Sequence, residues 1–483
     1  MKLSEILKNI PVLEMHADGD MEITNVANDS RKAAAGTLFI AVKGYETDGH
    51  KFITAAKKQG ASCVLCQKRP RCAIPYVLVE NSRSAEALAA AAFYGHPAES
   101  LTMVGVTGTN GKTTTTNLVR TIIEGALGCT CGLIGTNRNI VGGAEEEAAR
   151  TTPDSIELQC LLRRMADAGD KYCVMEVSSH AICLDRVRGI RFAAAAFTNL
   201  TEDHLDFHKT MDAYAQAKSR LFACADVSVI NVDDEYAPVM LSAVTGRTFT
   251  FSTEKNSASI TAKDIRLGER GVSFTVLTDE GIQRVTLGIP GLFSVYNGLC
   301  AFSIALCLGI GAEKAAAALA TASGVKGRAE VVPTDTPYTV IIDYAHSPDA
   351  LQNILKTIRG FCRKRIITVF GCGGDRDRDK RPIMGAIAGR MSDYVFVTSD
   401  NPRTEEPMSI IDQITAGMKS SRAPYEVIED RRAAIAAALK CAGEGDVVLL
   451  AGKGHETYQI IGKEKRHFDE REVVAELLGK EQL

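Results

Sequence analysis

Residues 108–114, Gly-Thr-Asn-Gly-Lys-Thr-Thr, decide the fold of this chain. They follow the apolar run LTMVGV at 101–106 and precede an amphipathic stretch at 117–127, so the order is strand, glycine loop and helix. In such a loop the backbone N–H groups and the helix N-terminus face phosphate oxygens, a lysine neutralises their charge and a hydroxyl can hold Mg²⁺. The pattern predicts a site for ATP or GTP, formed by Gly108, Thr109, Asn110, Gly111, Lys112, Thr113 and Thr114.

The loop departs from the usual phosphate-binding spacing at one position. That spacing asks for glycine at 106, where this chain has Val106 between Gly105 and Gly108. The alternative interpretation is a tight strand–helix turn that contains an unrelated lysine. Strand, loop and helix all lie where nucleotide binding requires them, so nucleotide binding is favoured.

Length and composition are those of an ordinary globular protein with several domains. The 483 residues are 45% hydrophobic and 24% charged, and the net charge of −3 gives no reason to expect nucleic acid or an anionic membrane as partner. Fourteen cysteines among apolar neighbours are typical of reduced thiols. Cys63 and Cys66 have zinc-like spacing, but no second pair follows, so core packing is favoured. We expect a cytoplasmic protein without membrane insertion, acting as a monomer on small molecules.

Alternating strand and helix patterns predict an α/β fold with a parallel sheet around the phosphate loop. Apolar runs that end in polar residues recur at 172–177, 194–198 and 227–232, separated by helical pattern. Residues 248–289 differ, because short alternating runs and turns there predict a small antiparallel appendage. A helix is expected at 296–308.

Breaks in the pattern near residues 98 and 329 predict three domains. The N-terminal α/β domain would cover 1–98, with strands at 37–42, 62–65 and 76–79. The central phosphate-loop domain would cover 99–329. A Rossmann-like domain would complete the chain at 330–483.

Four strands of the last domain are each followed by a loop rich in charge or glycine. The strands lie at 340–343, 366–370, 394–398 and 447–451, and their loops read DYAHSPD, GCGGDRDRDKR, SDNPRTEEP and GKGHE. Ligands bind at the carboxyl ends of strands in open α/β sheets. The four loops together therefore predict a binding face.

Candidate metal ligands follow two strands of the central domain. Glu176 ends the strand KYCVMEV and could reach a metal held at Thr113; the alternative is a solvent-exposed acid that closes a strand. The segment TNLTEDHLDFH at 198–208 places three carboxylates and two imidazoles together, a set suited to Mg²⁺ and a phosphorylated substrate. Its alternative is a helix capped by Thr201, and both interpretations can hold.

Lys218, in AKSRLF, allows three interpretations. It can be a solvated surface group, a catalytic cation beside ATP phosphates, or an anion formed by carbamylation. The residues alone leave all three open.

Ten motifs, in their order and spacing, resemble those of the Mur ligases over the whole chain. Mur ligases are the ATP-dependent amide-forming enzymes of bacterial peptidoglycan synthesis. Several motifs are shared by sister ligases, whereas DSR, TTPD and DNPR together are selective. The motifs are DSR at 29–31, GTNGKTT at 108–114, TTPD at 151–154, EVSSH at 176–180, NLTEDHLDFH at 199–208, AKSRLF at 217–222, DYAHSPD at 343–349, GCGGDRDRDKRP at 371–382, DNPR at 400–403 and GKGHE at 452–456.

The resemblance implies a ligase that adds meso-diaminopimelate to the D-glutamate of UDP-N-acetylmuramoyl-L-alanyl-D-glutamate. ATP would be the co-substrate, Mg²⁺ the cofactor and an acyl phosphate the intermediate. Two alternatives stay open. One is a ligase of the same fold with another acceptor, either lysine or, as in folylpolyglutamate synthetase, glutamate added to folate. The other is a nucleotide-dependent binding protein without ligase activity.

The resemblance also implies roles for individual residues around ATP and the metal. Besides the phosphate loop, the implied ATP contacts are Asn297, Arg328 and Asp343. The family's second asparagine is Ser294 here. The implied metal ligands are Thr113, Glu176, His204 and Lys218, the last as a carbamate. The implied catalytic residues are Lys112, Glu176, His204 and Lys218.

The two remaining substrates are implied to bind at opposite ends of the chain. The implied contacts with the UDP-linked dipeptide are Ser30, Tyr45, Glu46, Thr47, Thr151, Thr152, Ser178 and Arg186. The implied contacts with diaminopimelate are Arg376, Asp400, Asn401, Pro402, Arg403, Gly452 and Glu456.

The DNPR motif at 400–403 is the basis for predicting which amino acid the enzyme adds. The guanidinium of Arg403 suits a free carboxylate, while Asp400 and Glu456 can accept hydrogen bonds from an ammonium. Lysine lacks the far carboxylate of diaminopimelate and would leave Arg403 unpaired, at a cost of roughly 1–3 kcal/mol. In the family, lysine-adding members differ at this arginine. The alternative for DNPR alone is a turn with Pro402 at a favoured position.

Overall fold

The chain packs into two compact units of α/β structure. The computed structural model describes residues 1–44, 47–268, 270–322, 324–419 and 421–480. The first unit contains Met1–Ser259 and Cys300–Gly311, and the second contains Ile260–Leu299 and Ala312–Leu483. Helices alternate with mostly parallel strands in both units, which confirms the α/β class. The domain boundaries near residues 98 and 329 remain predictions.

A five-stranded sheet forms the N-terminal part of the first unit. Its elements are α1 (Leu3–Leu7), β1 (Val12–His16), β2 (Asn25–Ala27), β3 (Thr37–Ile40), α2 (Ile53–Lys58), β4 (Cys63–Cys66), β5 (Tyr76–Val79) and α3 (Ser82–Phe93). The order is β1-β5-β4-β3-β2, with β1 antiparallel to β5 and the others parallel. Apolar side chains alternate between the two faces, where α1 and α3 cover one and α2 the other. Cys63 and Cys66 are buried in this core, which confirms the packing interpretation.

A larger sheet carries the phosphate loop in the same unit. Its elements are β6 (Thr102–Thr107), α4 (Lys112–Leu127), β7 (Cys131–Ile134), β8 (Arg138–Val141), β9 (Ala144–Glu147), α5 (Ser155–Asp167), β10 (Tyr172–Glu176), α6 (Ser179–Cys183), β11 (Phe192–Phe197), α7 (Leu205–His208), α8 (Met211–Ser219), β12 (Ala225–Asn231), α9 (Ala237–Ser242) and β13 (Arg247–Ser252). The order is β13-β12-β11-β6-β10-β7-β8-β9. In that order, the strands from β13 through β7 are all parallel. Strand β8 is antiparallel to β7, and β9 is antiparallel to β8. The carboxyl ends of β6, β10 and β11 therefore lie at one edge.

The antiparallel appendage begins later than the sequence predicts. The run at 248–252 belongs to β13, which is parallel to β12 in the first unit. Alternating residues fit an edge strand of either direction, so the pattern could not distinguish the two. The appendage is a three-stranded meander followed by two helices, and it belongs to the second unit except for residues 300–307. These elements are β14 (Ile260–Gly268), β15 (Gly271–Thr278), β16 (Gly281–Leu287), α10 (Leu292–Cys307) and α11 (Ala312–Ala320).

A six-stranded sheet forms the rest of the second unit. Its elements are β17 (Glu330–Val332), β18 (Thr339–Asp343), α12 (Pro348–Phe361), β19 (Ile366–Phe370), α13 (Lys380–Met391), β20 (Tyr394–Val397), α14 (Pro407–Ala416), β21 (Tyr425–Val427), α15 (Arg431–Cys441) and β22 (Val447–Ala451). The order is β17-β18-β22-β19-β20-β21, parallel except for β17. A separate hairpin and a last helix follow, β23 (Tyr458–Ile461), β24 (Glu464–His467) and α16 (Glu470–Leu477).

Both faces of this sheet are covered. Helices α12, α13 and α14 pack on one face and α15 and α16 on the other, while successive residues of β19 alternate between the two cores. Burial on both faces explains why the strands read as continuous apolar runs. Because β18, β22, β19 and β20 are parallel, the four predicted loops leave the sheet at one edge, as expected. Within the described residues, no helix is both long and apolar enough to cross a bilayer.

A buried ion pair ties α15 and α16 to that edge. Arg431 Nε donates to Glu470 Oε1 at 2.8 Å, and both side chains are fully buried. Arg431 Nη2 also donates to the carbonyl of Ala451 at 2.8 Å, where β22 ends. The guanidinium therefore fixes the end of a strand from which one of the loops departs.

Removal of the acid should leave a buried charge without its partner. We expect Glu470→Ala to lower the free energy of unfolding by about 3–5 kcal/mol. Glu472→Ala, on the exposed side of the same helix, is the matched control and should cost about 1 kcal/mol or less. Urea titrations followed by circular dichroism measure both changes. Equal midpoints for the two variants would contradict the role given to the pair.

Candidate functional site

The phosphate loop joins β6 to α4 in the predicted order. Gly108 has φ +152°, and a Cβ there would lie 1.9 Å from Thr198 Oγ1. Gly111 has φ +84° and caps α4. Any other residue at 108 would collide with the neighbouring strand end, so glycine is required for the close approach. The helix then begins at Lys112, so its first backbone N–H groups lie directly after the loop.

Two lysine ammonium groups share one carbonyl in this loop. Lys112 Nζ donates to the carbonyls of Gly108 at 3.0 Å and Thr109 at 2.9 Å. Lys218 Nζ, from α8, donates to the same Gly108 carbonyl at 2.9 Å. Lys218 is 1% exposed, so the interpretation as a solvated surface group is wrong. Burial, helped by the charge of Lys112, lowers the pKa of Lys218 well below its usual value.

The NLTEDH segment is bonded to the phosphate loop and does not begin a helix at Thr201. The Thr201 N–H donates to Thr109 Oγ1 at 3.0 Å, and Thr109 Oγ1 lies 3.2 Å from the Thr201 carbonyl. Asn110 N–H donates to Asn199 Oδ1 at 2.9 Å. Helix α7 starts at Leu205 instead. The capping interpretation of Thr201 is therefore wrong, because contacts distant in sequence use the groups that a cap would need.

Three histidines from two motifs gather beside this segment. His204 has φ +54°, and its ring lies 4.8 Å from that of His180. Burial is the main cause that lowers its pKa, while the charges of Lys112 and Lys218 add to the effect. His208 Nε2 lies 2.9 Å from Ser179 Oγ, and burial lowers the pKa of His208 to about 4. The predicted His204 is thus close enough to Lys112 and Lys218 for both charges to lower its pKa. His180 was not predicted, although EVSSH ends with it.

Glu176 ends β10 as predicted but is not exposed. It lies opposite Val106 in the parallel register, and only 1% of the residue is accessible. Its carboxylate accepts hydrogen bonds from Thr136, at 2.7 Å from the N–H and 3.0 Å from Oγ1. The interpretation as a solvent-exposed acid is therefore wrong. Thr136 was not predicted, because its partner lies forty residues away in sequence.

The residues implied for Mg²⁺ fit the ion only with a modified lysine. In the part of the chain that the structure describes, no group of three or more His, Cys, Asp and Glu side chains could hold a metal ion. Thr113 and Glu176 offer the hydroxyl and carboxylate oxygens that Mg²⁺ prefers, but an ammonium at Lys218 would repel it. A carbamate on Lys218 would replace that cation by an oxygen ligand, and the lowered pKa of Lys218 favours the neutral amine that carbamylation needs.

The TTPD loop is assembled on the end of β10. Thr152 Oγ1 donates to the carbonyl of Glu176 at 2.8 Å and accepts from the Ser178 N–H at 3.1 Å. Arg186 Nη1 donates to the Thr152 carbonyl at 2.9 Å, and its Nη2 pairs with Asp154 at 3.0 Å. Thr151 Oγ1 lies 3.0 Å from Thr136 Oγ1. The structure thus brings together Thr151, Thr152, Ser178 and Arg186, all of which the sequence predicts.

A cleft of about 300 Å³ opens beside this loop in the first unit. Thr47 and Arg186, both predicted, lie in its wall. Ser30 starts a short turn after Asp29 and is not part of the wall. Tyr45 and Glu46 lie outside the described residues. The wall also includes Asn28, Arg83, Glu86 and Asp154.

Glu86 is a cleft residue that the sequence did not reveal. It is 7% exposed and accepts a hydrogen bond from Asn28 Nδ2 at 2.7 Å. Burial raises its pKa from the ordinary 4.5 to about 7, Asp154 adds to the rise, and Asn28, Arg83 and Arg186 oppose it. It lies on α3, where a single acid among alanines gave no signal of a site.

Ionisation of Glu86 should destabilise the fold as pH rises. The folded chain holds this proton more tightly than the unfolded chain, so the stabilising contribution is complete below about pH 4.5 and is lost as pH rises through about 7. Glu86→Gln cannot ionise. We expect its stability advantage over the natural chain to grow by roughly 2–3 kcal/mol between about pH 5 and pH 8.

Thermal unfolding of both proteins at the two pH values measures this difference. Glu80→Gln, which changes an exposed carboxylate just before α3, is the matched control and should show no such growth. A constant difference between Glu86→Gln and the natural chain would contradict the assigned protonation.

The edge of the second unit gathers the residues predicted for an amino acid. Asp400 and Asn401 follow β20, and Glu456 follows β22. Asn401 Nδ2 donates to Glu456 Oε2 at 2.9 Å. Lys453 was not predicted; its fully buried Nζ lies 3.2 Å from Glu456, 3.3 Å from Asn401 Oδ1 and 3.8 Å from Asp400. The lysine of GKGHE thus neutralises the acids that the sequence assigned to a substrate ammonium.

Arg403 lies beside the GCGGD loop in an uncommon backbone conformation. Its φ is +51°, in the left-handed region, and its Nη1 donates to the Gly374 carbonyl at 2.8 Å. A Cβ at Gly373 would lie 2.9 Å from that guanidinium, so the loop leaves room for it. Arg376 is exposed and donates to the carbonyl of Asp375 at 3.2 Å. Pro402 and Gly452 complete the set in the neighbouring loops.

The other residues predicted for ATP belong to the second unit. Asp343 accepts from the N–H groups of Ala329 at 2.7 Å and Ala345 at 2.8 Å, and burial raises its pKa. The Arg328 guanidinium lies 5.2 Å from the ring centre of Tyr344. Asn297 is buried in α10. On the preceding turn, Ser294 Oγ donates to the Pro290 carbonyl at 2.8 Å, so that hydroxyl is used within the helix.

Three models of one protein family match the chain nearly end to end. The Mur ligase family, catalytic domain, matches residues 22–122; the Mur ligase middle domain matches 106–305; and the Mur ligase, glutamate ligase domain, matches 327–454. The chain belongs to the Mur ligase family.

Two relatives that match the chain over nearly its full length carry the same name. UDP-N-acetylmuramoyl-L-alanyl-D-glutamate--2,6-diaminopimelate ligase of Clostridium tetani is 45% identical over 99% of both chains. The ligase of the same name from Clostridioides difficile is 43% identical, over 99% of this chain and 100% of its own. The similarity to both relatives therefore extends over nearly the whole chain.

Solved structures of Mur ligases have the same fold. A structure of UDP-N-acetylmuramoyl-L-alanyl-D-glutamate--2,6-diaminopimelate ligase is 32% identical, covers 99% of both chains and gives a TM-score of 0.75. A folylpolyglutamate synthase from Mycobacterium tuberculosis, solved with ADP and AMPPCP, is 17% identical with a TM-score of 0.64 over 83% of this chain and 96% of its own. The second likeness shows the fold alone.

Proposed function

We infer that the chain is an ATP-dependent amide ligase that adds 2,6-diaminopimelate to UDP-N-acetylmuramoyl-L-alanyl-D-glutamate in peptidoglycan precursor synthesis. The observation that carries this conclusion is the 43–45% identity, over nearly the whole chain, to curated relatives with that name. The sites support it, because the first unit has the phosphate loop and the second has the loop residues that are predicted for an amino acid. A binding protein without catalysis would not need both.

The proposed reaction has two steps. The γ-carboxylate of D-glutamate attacks the γ-phosphate of ATP, which gives ADP and an acyl phosphate. The free amine of diaminopimelate then attacks the acyl carbon, and the tetrahedral intermediate expels phosphate. Lys112 and the N–H groups at the start of α4 would balance charge on the phosphate oxygens. Arg186, held by Asp154, is placed to bind an anionic group of the UDP-linked dipeptide.

We propose that Thr113, Glu176, His204 and carbamylated Lys218 hold Mg²⁺. The ion would screen the phosphate charge when bound. Neutral Lys218 attacks carbon dioxide and loses one proton, which forms the carbamate. Support comes from the burial of Lys218 and from its lowered pKa, since only the neutral amine is a nucleophile.

The acceptor is proposed to bind with its far end at Arg403. A guanidinium can hold the far carboxylate of diaminopimelate, and Arg376 is a second cation for the same group. Asp400 and Glu456 would accept from the neighbouring ammonium, in positions that Lys453 fixes. Diaminopimelate places an amine and a carboxylate together at that end, which fits this pairing of charges.

Acceptor choice is tested by phosphate release with UDP-N-acetylmuramoyl-L-alanyl-D-glutamate and ATP. We expect diaminopimelate to be used and L-lysine to be used poorly. Arg403→Ala should lower kcat/KM for diaminopimelate about 10- to 100-fold, because a charged hydrogen-bond partner is lost, with little change in KM for ATP. Arg422→Ala, on an exposed part of the same unit, is the matched control. Lysine used as well as diaminopimelate would contradict the role of Arg403.

The carbamate is tested at Lys218. We expect Lys218→Ala to be nearly inactive and to regain part of its activity when a small carboxylate such as formate is supplied, because the acid can replace the carbamate oxygens. Lys218→Arg keeps a cation that cannot be carbamylated, and we expect it to stay inactive. Activity of the arginine variant, measured by phosphate release, would instead assign Lys218 the role of a cation.

A further inference from the structure

The backbone of Arg403 is held by a hairpin that the proposed mechanism does not use. A left-handed conformation costs a residue with a side chain on the order of 1–2 kcal/mol, so its surroundings must maintain it. The N–H of Arg403 donates to the Ile460 carbonyl at 3.1 Å, and its carbonyl accepts from the Gly462 N–H at 2.7 Å. Both partners belong to the β23–β24 hairpin, at its first strand and its turn.

The same hairpin holds the two residues that open the DNPR loop. The Ile460 N–H donates to Asn401 Oδ1 at 2.9 Å. Gln459 Nε2 donates to the Asp400 carbonyl at 2.6 Å. Three hairpin residues therefore hydrogen bond with the residues proposed to face the far end of the acceptor. Gln459 bonds to Asp400, Ile460 to Asn401 and Arg403, and Gly462 to Arg403.

Within the described residues, the hairpin lies outside the six-stranded sheet and its buried cores. It forms a two-stranded sheet of its own, apart from the six-stranded sheet. All four residues of β24 are exposed, so the hairpin contributes little to a core. A two-stranded hairpin is marginally stable by itself in water, so its contacts with the DNPR loop order both partners.

We propose that the β23–β24 hairpin is a specificity-determining element, which fixes the left-handed backbone of Arg403 and so places its guanidinium for the far carboxylate of the acceptor. The inference rests on the proposed function. Gln459 is a positioning residue, because it acts through the carbonyl of Asp400. Choice between diaminopimelate and lysine then depends on residues 459–462 as well as on Arg403.

The base of the hairpin makes it removable. The N–H of Phe468 donates to the Thr457 carbonyl at 2.9 Å, so the two ends lie side by side. Replacement of residues 458–467 by Gly-Gly would delete the hairpin without stretching the chain. Gln459→Leu is the milder variant, since it removes one donor and keeps the side-chain volume. Lys463→Ala, at the exposed turn, is the matched control.

Phosphate release with varied diaminopimelate and lysine, at saturating ATP and UDP-linked dipeptide, tests the proposal. For Gln459→Leu we expect KM for diaminopimelate to rise about 10-fold with kcat nearly unchanged, because a backbone acceptor is left unpaired. For the deletion we expect the preference for diaminopimelate over lysine to fall by at least about 10-fold. KM for ATP should stay constant in both, and Lys463→Ala should match the natural chain.

Two failures can be told apart. A natural chain that prefers diaminopimelate, together with a deletion variant that keeps the same preference and KM, overturns the hairpin proposal alone. Equal losses for both amino acids and for ATP would show a merely structural role and also overturn it. A natural chain that releases no phosphate with either amino acid contradicts the proposed function and, with it, this inference.

Discussion

The carbonyl of Gly108 is the point on which the first unit depends. Lys112 and Lys218 both donate to it, one from the helix that the loop starts and one from α8, more than a hundred residues away. Their mutual repulsion and the burial of Lys218 favour the neutral form of one amine. Gly108 also lies against Thr198, which only a residue without Cβ allows. One backbone carbonyl therefore both joins α8 to the phosphate loop and holds the two lysines close together.

A different constraint governs the second unit. Helices cover both faces of its parallel sheet, so the place for a ligand is the edge where the carboxyl ends of the strands lie. Arg431, paired with Glu470, donates to the carbonyl at the end of β22, and the ammonium of Lys453 lies beside the carboxylates of Asp400 and Glu456. Buried charges of this kind are costly unless they are paired, and both ion pairs here are made within the protein itself. In the proposed function, Arg431, Glu470 and Lys453 would therefore position the residues that contact the acceptor.

Local signals predicted the fold well, and long-range contacts account for what they missed. The apolar runs predicted the first and last residues of β5, β19 and β22 correctly, and the glycines with the lysine indicated the phosphate loop. Whether Glu176 is exposed, or Thr201 caps a helix, depends on Thr136 and Thr109, which lie far away in sequence. Glu86, Thr136 and Lys453 were missed for the same reason. Alternation in β13 fits either strand direction, so only its neighbour β12 decided the sheet.

The hairpin closed between Thr457 and Phe468 has a consequence for how such enzymes diverge. Insertions or deletions within it leave the six-stranded sheet intact, since the hairpin shares no ladder with that sheet. If the proposed role of the hairpin holds, a new acceptor preference can therefore arise from changes within residues 458–467 that leave the phosphate loop of the first unit unchanged.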